Sequence, residues 1–203
     1  NVTNNVVVFQ TVNESSTPGN YANDSSSTTI NQPRQIVMKD FTVATTQTTQ
    51  PVLKLQSCKM SNFENIRITG PWTTGTAITR ANAGLELSSL SNVVCTQENK
   101  FDHVSVNGMS VGVVSDDDVY NNHFHCCYFT NLGQGVQFGQ NTTLGSQGQT
   151  TGPSKNKFGF SEFKNIDREA IAIQNGSNNF STHNNFESVG NVGGTEGNAQ
   201  YSV

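Results

Sequence analysis

At 203 residues the chain is long enough for one sizeable core, yet only 33% of it is apolar and 13% charged. Its weight lies in neutral polar residues, with 26 Asn, 23 Thr and 20 Ser, which is too polar for a packed helical domain and too poor in charge for ordinary disorder. A net charge of −4 with 11 scattered Lys and Arg argues against nucleic acid as a partner, and no apolar run reaches the length of a membrane span.

Residues 1–34 have the texture of an extended arm or linker. A short apolar run, V-V-V-F at 6–9, is the one strand expected there, and a Ser/Thr/Asn-rich stretch follows it. The chain opens on Asn1 rather than Met, as expected of a fragment or a processed product. From residue 35 to 190 the pattern is regular, and one frame recurs. It reads N-K-F-G-F-S-E-F-K-N-I at 156–166, N-H-F-H-C-C-Y-F-T-N-L at 122–132 and N-K-F-D-H-V-S-V-N-G-M at 99–109. A longer copy, N-N-F-S-T-H-N-N-F-E-S-V, occupies 178–189, and F-E-N-I at 63–66 matches its second half. With Phe63, Val106, Phe129, Phe163 and Phe186 as the common point, the steps are 43, 23, 34 and 23 residues. Phe41, 22 residues before Phe63, marks a first unit. Residues 191–203 form a terminal segment in which the pattern dissolves.

A fixed period of this size marks units that cannot bury their own apolar face and must stack on their neighbours. Each copy is followed by a short alternating segment, such as S-V-G-V-V at 110–114, Q-G-V-Q-F at 134–138 or E-A-I-A-I at 169–173. Alternation with period two is a strand with one face in the core. The expected fold is therefore all-β, a parallel β-helix (solenoid) of about five coils with two loop insertions. The insertions fall between Ile66 and Gly84, and at 139–154. Equivalent residues of successive coils would stack about 4.8 Å apart. Phe101, Phe124, Phe158 and Phe180 would make an aromatic ladder, and Asn99, Asn122, Asn156 and Asn178 an amide ladder at a bend. The five-residue step from Phe158 to Phe163 changes strand parity, so a second bend is expected between them.

Chemistry is sparse. Cys58, Cys95, Cys126 and Cys127 form no C-x-x-C pair, so no zinc site is expected; they read as packing thiols, with a Cys58–Cys95 bridge as the alternative. Adjacent Cys126 and Cys127 should face opposite sides of a strand. His123 and His125 flank Phe124 and point outward together, but no third metal ligand is evident, so no metal and no cofactor is assigned. His103 follows Phe101 by two positions, as Cys126 follows Phe124. The acidic triplet Asp116, Asp117 and Asp118 reads as a solvated turn; as catalytic candidates these three would need a partner such as Glu86 or Asp102 across a scissile bond. Trp72, in the first insertion, either stacks on a sugar ring or anchors its own loop, and Tyr120 and Tyr128 are the other candidate glycan platforms. Six Asn-x-Ser/Thr sequons, at Asn1, Asn13, Asn23, Asn141, Asn175 and Asn179, are no more than this composition makes by chance. Nothing matches a nucleophile elbow, a P-loop or a dinucleotide fingerprint.

The frame N-K-F-x5-F-K-N-I followed by G-V-x-F or A-I-A-I resembles the pectin-lyase-like right-handed parallel β-helices, and the Asn/Thr/Ser-rich texture is similar to bacteriophage tailspikes and tail fibres. The resemblance implies a virion protein, typically a homotrimer or one joined to other virion proteins, that binds host surface polysaccharide. Some members cleave that polysaccharide, but the Gly-His-Gly and Arg-x-Lys elements of the enzymes are missing here, so no catalytic residue is carried over. The expectation is a non-enzymatic structural or glycan-binding virion part. Its alternatives are a tailspike-type depolymerase (glycoside hydrolase or lyase) and an extracellular or cell-surface protein.

Overall fold

The computed structural model describes residues 33–89, 95–115, 118–139, 152–174 and 176–190, together with the backbone of Phe9–Gln10. Every regular element among these residues is a β-strand. In chain order they are β1 (Phe9–Gln10), β2 (Val37–Ala44), β3 (Leu53–Gln56), β4 (Asn62–Thr69), β5 (Ala83–Ser88), β6 (Thr96–Gln97), β7 (Lys100–Asp102), β8 (Ser105–Asn107), β9 (Val111–Ser115), β10 (Val119–Tyr120), β11 (His123–His125), β12 (Tyr128–Leu132), β13 (Gln134–Phe138), β14 (Lys157–Gly159), β15 (Glu162–Ile166), β16 (Ile171–Ile173), β17 (Phe180–Thr182) and β18 (Asn185–Val189).

The strands pair in parallel in a ten-stranded sheet, a six-stranded sheet (β1-β3-β5-β9-β13-β16) and the pair β6–β10. The chain runs through the large sheet, crosses to the six-stranded one and returns, each pass landing beside the last. Among the described residues six such layers cross the large sheet, against about five expected: β2, β4, β7 with β8, β11 with β12, β14 with β15, and β17 with β18. Each layer bends at one residue in the left-handed conformation, namely Asp40, Asn65, His103, Cys126, Phe160 and His183, with φ between 51° and 60°. A single such residue turns the strand and switches its inward parity, so Phe158 and Phe163, five apart, are both fully buried. A second left-handed column, Gln35, Met60, Glu98, Asn121, Lys155 and Asn178, sits just before the large sheet.

Inside, like stacks on like. Ring centroids are 5.0 Å apart for Phe63–Phe101, 4.5 Å for Phe101–Phe124 and 4.9 Å for Phe124–Phe158, all within 11° of coplanar. A parallel column runs Ile68, Val106, Phe129, Phe163, Phe186. Asn122 Oδ1 accepts from both the backbone N–H and the side-chain amide of Asn99, at 3.1 and 2.9 Å, and Asn156 Oδ1 does the same for Asn122.

Three register expectations are corrected. Phe63 aligns with Phe101, not Val106, so the first step is 38 residues rather than 43. Phe41 accordingly lies beside Ile66, and Met38 takes the place beside Phe63. In the last layer the amide column continues through Asn179, not Asn178, and the aromatic column ends at Ser181, leaving Phe180 55% exposed. The doubled Asn misled the alignment because Asn178 takes the left-handed corner, where Asn is well tolerated. The constant seven residues from Asn122 to Phe129 and from Asn156 to Phe163 recur only from Asn179 to Phe186.

The six-stranded sheet closes over the second aromatic column at Gly84, Gly112, Gly135 and Ala170, which are in register. A Cβ added to Gly112 would lie 2.8 Å from Phe129 Cδ1 and 2.5 Å from Gly135 O, and one on Gly135 would lie 2.9 Å from Phe163 Cδ1. These glycines make room for rings. The first insertion, 70–82, folds back against the body: Ile78 packs on Ala83, Val111 and Val114, and the Gly75 N–H donates to Asp167 Oδ2 at 3.1 Å. Most of the second insertion (140–151), the terminal segment 191–203 and the arm, apart from β1 and residues 33 and 34, lie outside the described residues. All four cysteines stand as thiols, so Cys58 and Cys95 are not bridged.

Chemical denaturation should show Phe158→Ala losing about 3–5 kcal/mol of stability through the cavity it leaves in the stack. Gly112→Ala should lose about 1–3 kcal/mol because its methyl meets Phe129 and a neighbouring carbonyl. A change within about 0.5 kcal/mol for either, the range of ordinary surface substitutions, would place that residue outside the core.

Candidate functional site

The outward residues of the large sheet are set by the same register as the core. At the bend between its two halves, His103, Cys126, Phe160 and His183 form one column, exposed except for the partly buried Cys126, and Asp102, His125, Gly159 and Thr182 form the column beside it. Asp102 Oδ1 accepts from His125 Nδ1 at 2.9 Å and from His103 Nδ1 at 3.1 Å. Desolvation alone would raise the Asp102 pKa, but the hydrogen bond from His125 and the charge and hydrogen bond of His103 outweigh it, and the net shift is downward. The carboxylate is thus an acceptor toward both rings, so in the neutral form of His125 the proton sits on Nδ1 and the lone pair on Nε2. Cys126 Sγ lies 3.7 Å from that nitrogen.

Phe160 walls this cluster. Its ring meets the His125 ring edge-on at 5.6 Å and stacks on His183 at 5.0 Å and 4°, while remaining 59% exposed. Tyr128, which opens the strand leaving the corner, is 43% exposed. The exposed Phe160 face therefore stands between imidazole rings that hydrogen-bond to a carboxylate and a hydroxyl.

The residues singled out from sequence are dispersed. Trp72 is 8% exposed and packs with its loop against the body, its backbone N–H donating to Gly108 O at 2.8 Å. Asp118 is fully buried in a left-handed turn and accepts the Tyr120 hydroxyl proton at 2.5 Å, so this part of the triplet is not a solvated turn. Asp116 and Asp117 lie outside the described residues. Glu86 is almost buried on β5 and paired with Lys54 Nζ of β3 at 3.1 Å, in the other sheet from Asp102. His123 does not join His125 in a ligand pair: burial first, then Lys157 and Lys100, lower its pKa, and its Nε2 lies 3.3 Å from Asn121 Oδ1. The partner of His125 that the sequence did not disclose comes from the adjacent layer. Extending the His103–Cys126 equivalence back by one residue sets Asp102 beside His125.

Comparison with family models, with curated proteins and with solved structures returned no match. No helix among the described residues is long and apolar enough to cross a membrane.

The two adjacent cysteines have opposite environments. Burial pushes the Cys127 thiol up to about 12, and burial likewise raises Cys58 and Cys95, whereas Cys126 is partly exposed. Iodoacetamide applied to the folded protein should label Cys126 alone, and the other three only after denaturation, as read by peptide mass spectrometry.

Proposed function

We propose that the stacked layers belong to a right-handed parallel β-helix and that the chain is a non-enzymatic part of a bacteriophage virion, of tail-fibre or tailspike type. In this reading it serves as a stiff element whose edge binds host surface glycan. The observation that carries the reading is the exposed aromatic edge built on a rigid core. Phe160 offers a flat apolar face against His125 and His183, whose rings hydrogen-bond to Asp102 and Thr182, and Tyr128 is exposed at the start of the strand leaving the corner; sugars are held by ring stacking together with hydrogen bonds from such groups.

The ends of the stack support assembly. Phe186 stacks on Phe163 at 5.3 Å yet is 40% exposed, and Val37, in the first layer of the large sheet, is 65% exposed. A homotrimer or a neighbouring virion protein would cover such surfaces, as open parallel edges require. The alternative, a polysaccharide depolymerase, draws on Asp116 and Asp117, since Asp118 is engaged by Tyr120 and Glu86 by Lys54.

One experiment separates these readings. The protein is incubated with a panel of bacterial capsular and O-antigen polysaccharides, and retention and new reducing ends are both followed. Retention without new reducing ends is expected, reduced at least tenfold by Phe160→Ala or Tyr128→Ala, with trimers in sedimentation. Cleavage that disappears in Asp116→Asn or Asp117→Asn would make the chain a depolymerase, and a stable monomer without retention would remove the virion reading.

A further inference from the structure

We propose that Asp102, His125 and Cys126 form a binding site for one transition-metal cation of the Zn²⁺ class. One oxygen, nitrogen or sulfur atom from each residue lies within 4.8 Å of the other two, and all three belong to strands or corners fixed by the core stacks rather than to a long loop.

The donor set selects the ion. Thiolate sulfur and imidazole nitrogen together suit borderline-soft Zn²⁺, Co²⁺ or Ni²⁺, whereas Ca²⁺ and Mg²⁺ want oxygen alone. The spacing agrees with this. Tetrahedral zinc, with Zn–N of about 2.0 Å and Zn–S of about 2.3 Å, sets a nitrogen and a sulfur about 3.5 Å apart. His125 Nε2 and Cys126 Sγ lie 3.7 Å apart. The hydrogen bond of His125 Nδ1 to Asp102 Oδ1 at 2.9 Å selects, for the neutral ring, the tautomer whose Nε2 lone pair a metal takes. On binding, the Cys126 thiol releases its proton to solvent and the thiolate takes the cation. Asp102 orients the imidazole through its hydrogen bond to Nδ1 and adds negative charge beside the cation, without itself ligating it. The side chains of Asp102 and His125 are 39% and 55% exposed, so a hydrated cation can reach the site and the remaining positions are open to water. His103, on the other side of the Asp102 carboxylate at 3.1 Å, is the nearest additional imidazole.

This site shares Asp102 and His125 with the proposed glycan edge, and it is tested without any polysaccharide. The tag-free protein, kept reduced with a phosphine, is titrated with Zn²⁺ by calorimetry and with Co²⁺ by absorption spectroscopy. One equivalent should bind, and Co²⁺ should give a near-ultraviolet thiolate charge-transfer band. Cys126→Ser should abolish that band and weaken Zn²⁺ binding at least tenfold, as should His125→Ala. Asp102→Asn should weaken binding about 10- to 100-fold, the usual effect of losing a carboxylate that orients a metal-bound histidine. His123→Ala should leave the titration unchanged, and Ca²⁺ or Mg²⁺ in excess should not compete. Serine at position 126 keeps the corner, since Ser57 and Ser188 adopt the same left-handed conformation in this fold. Failure to take up one equivalent of Zn²⁺, or uptake that Cys126→Ser and His125→Ala leave unaltered, would overturn the proposal.

Discussion

Asn122, Asn156 and Asn179 of the inner column each satisfy two groups of the neighbouring layer with one oxygen. Asn179 Oδ1 accepts from the Asn156 backbone N–H and side-chain amide, both at 3.0 Å, as Asn156 does for Asn122 and Asn122 for Asn99. At the foot of the column Asn99 Oδ1 takes the Ser61 backbone N–H at 3.0 Å. These groups are buried, so a layer shifted by one residue would strand donors away from water as well as turn its phenylalanines outward. The left-handed corner just before each amide, the ring stacks and the glycine column all depend on that alignment. Asparagine is too short to bridge layers in any other register.

The outer surface inherits its order from this interior constraint. Residues that are far apart in sequence become neighbours at one strand spacing, so a side chain such as His125 has its partners chosen by Asp102 one layer away. Chemistry on this molecule is therefore written vertically, across layers. Inserted segments leave the columns in register: the step is 38 residues between Ser61 and Asn99 and 34 between Asn122 and Asn156, yet the hydrogen bonds are alike.

Much of this order was legible in the sequence. The repeated Asn-x-Phe frame disclosed parallel stacking, the two polar-to-aromatic columns and the bend between Phe158 and Phe163. What it hid was which of two identical residues takes the corner, because Asn178 and Asn179 are chemically the same and only the distance to Phe186 distinguishes them. It also hid the placement of Phe63, where a fragment of the frame fits either half of a layer. The glycines of the six-stranded sheet were visible as alternation, but their purpose is clearance from Phe129 and Phe163, and that needs the depth of the neighbouring ring. Trp72 was readable only as loop residue, since its burial depends on how 70–82 folds back. The Asp102–His125–Cys126 cluster escaped because Asp102 lies 23 residues from His125 and one position off the equivalence that the sequence displayed.

The left-handed corners explain a feature of composition and point to unused headroom. Among the described residues, seventeen non-glycine residues have positive φ, including Asn65, Asn121, Asn131, Asn165 and Asn178. Part of the asparagine excess is thus backbone geometry rather than a record of glycosylation. Asparagine tolerates this conformation, but Met60 and Lys155 carry side chains for which the left-handed region is disfavoured by about 1–2 kcal/mol. Both are exposed. The molecule consequently holds a reserve of thermostability at its corners that asparagine at these positions would release without touching the core, the aromatic edge or the cysteine–histidine cluster.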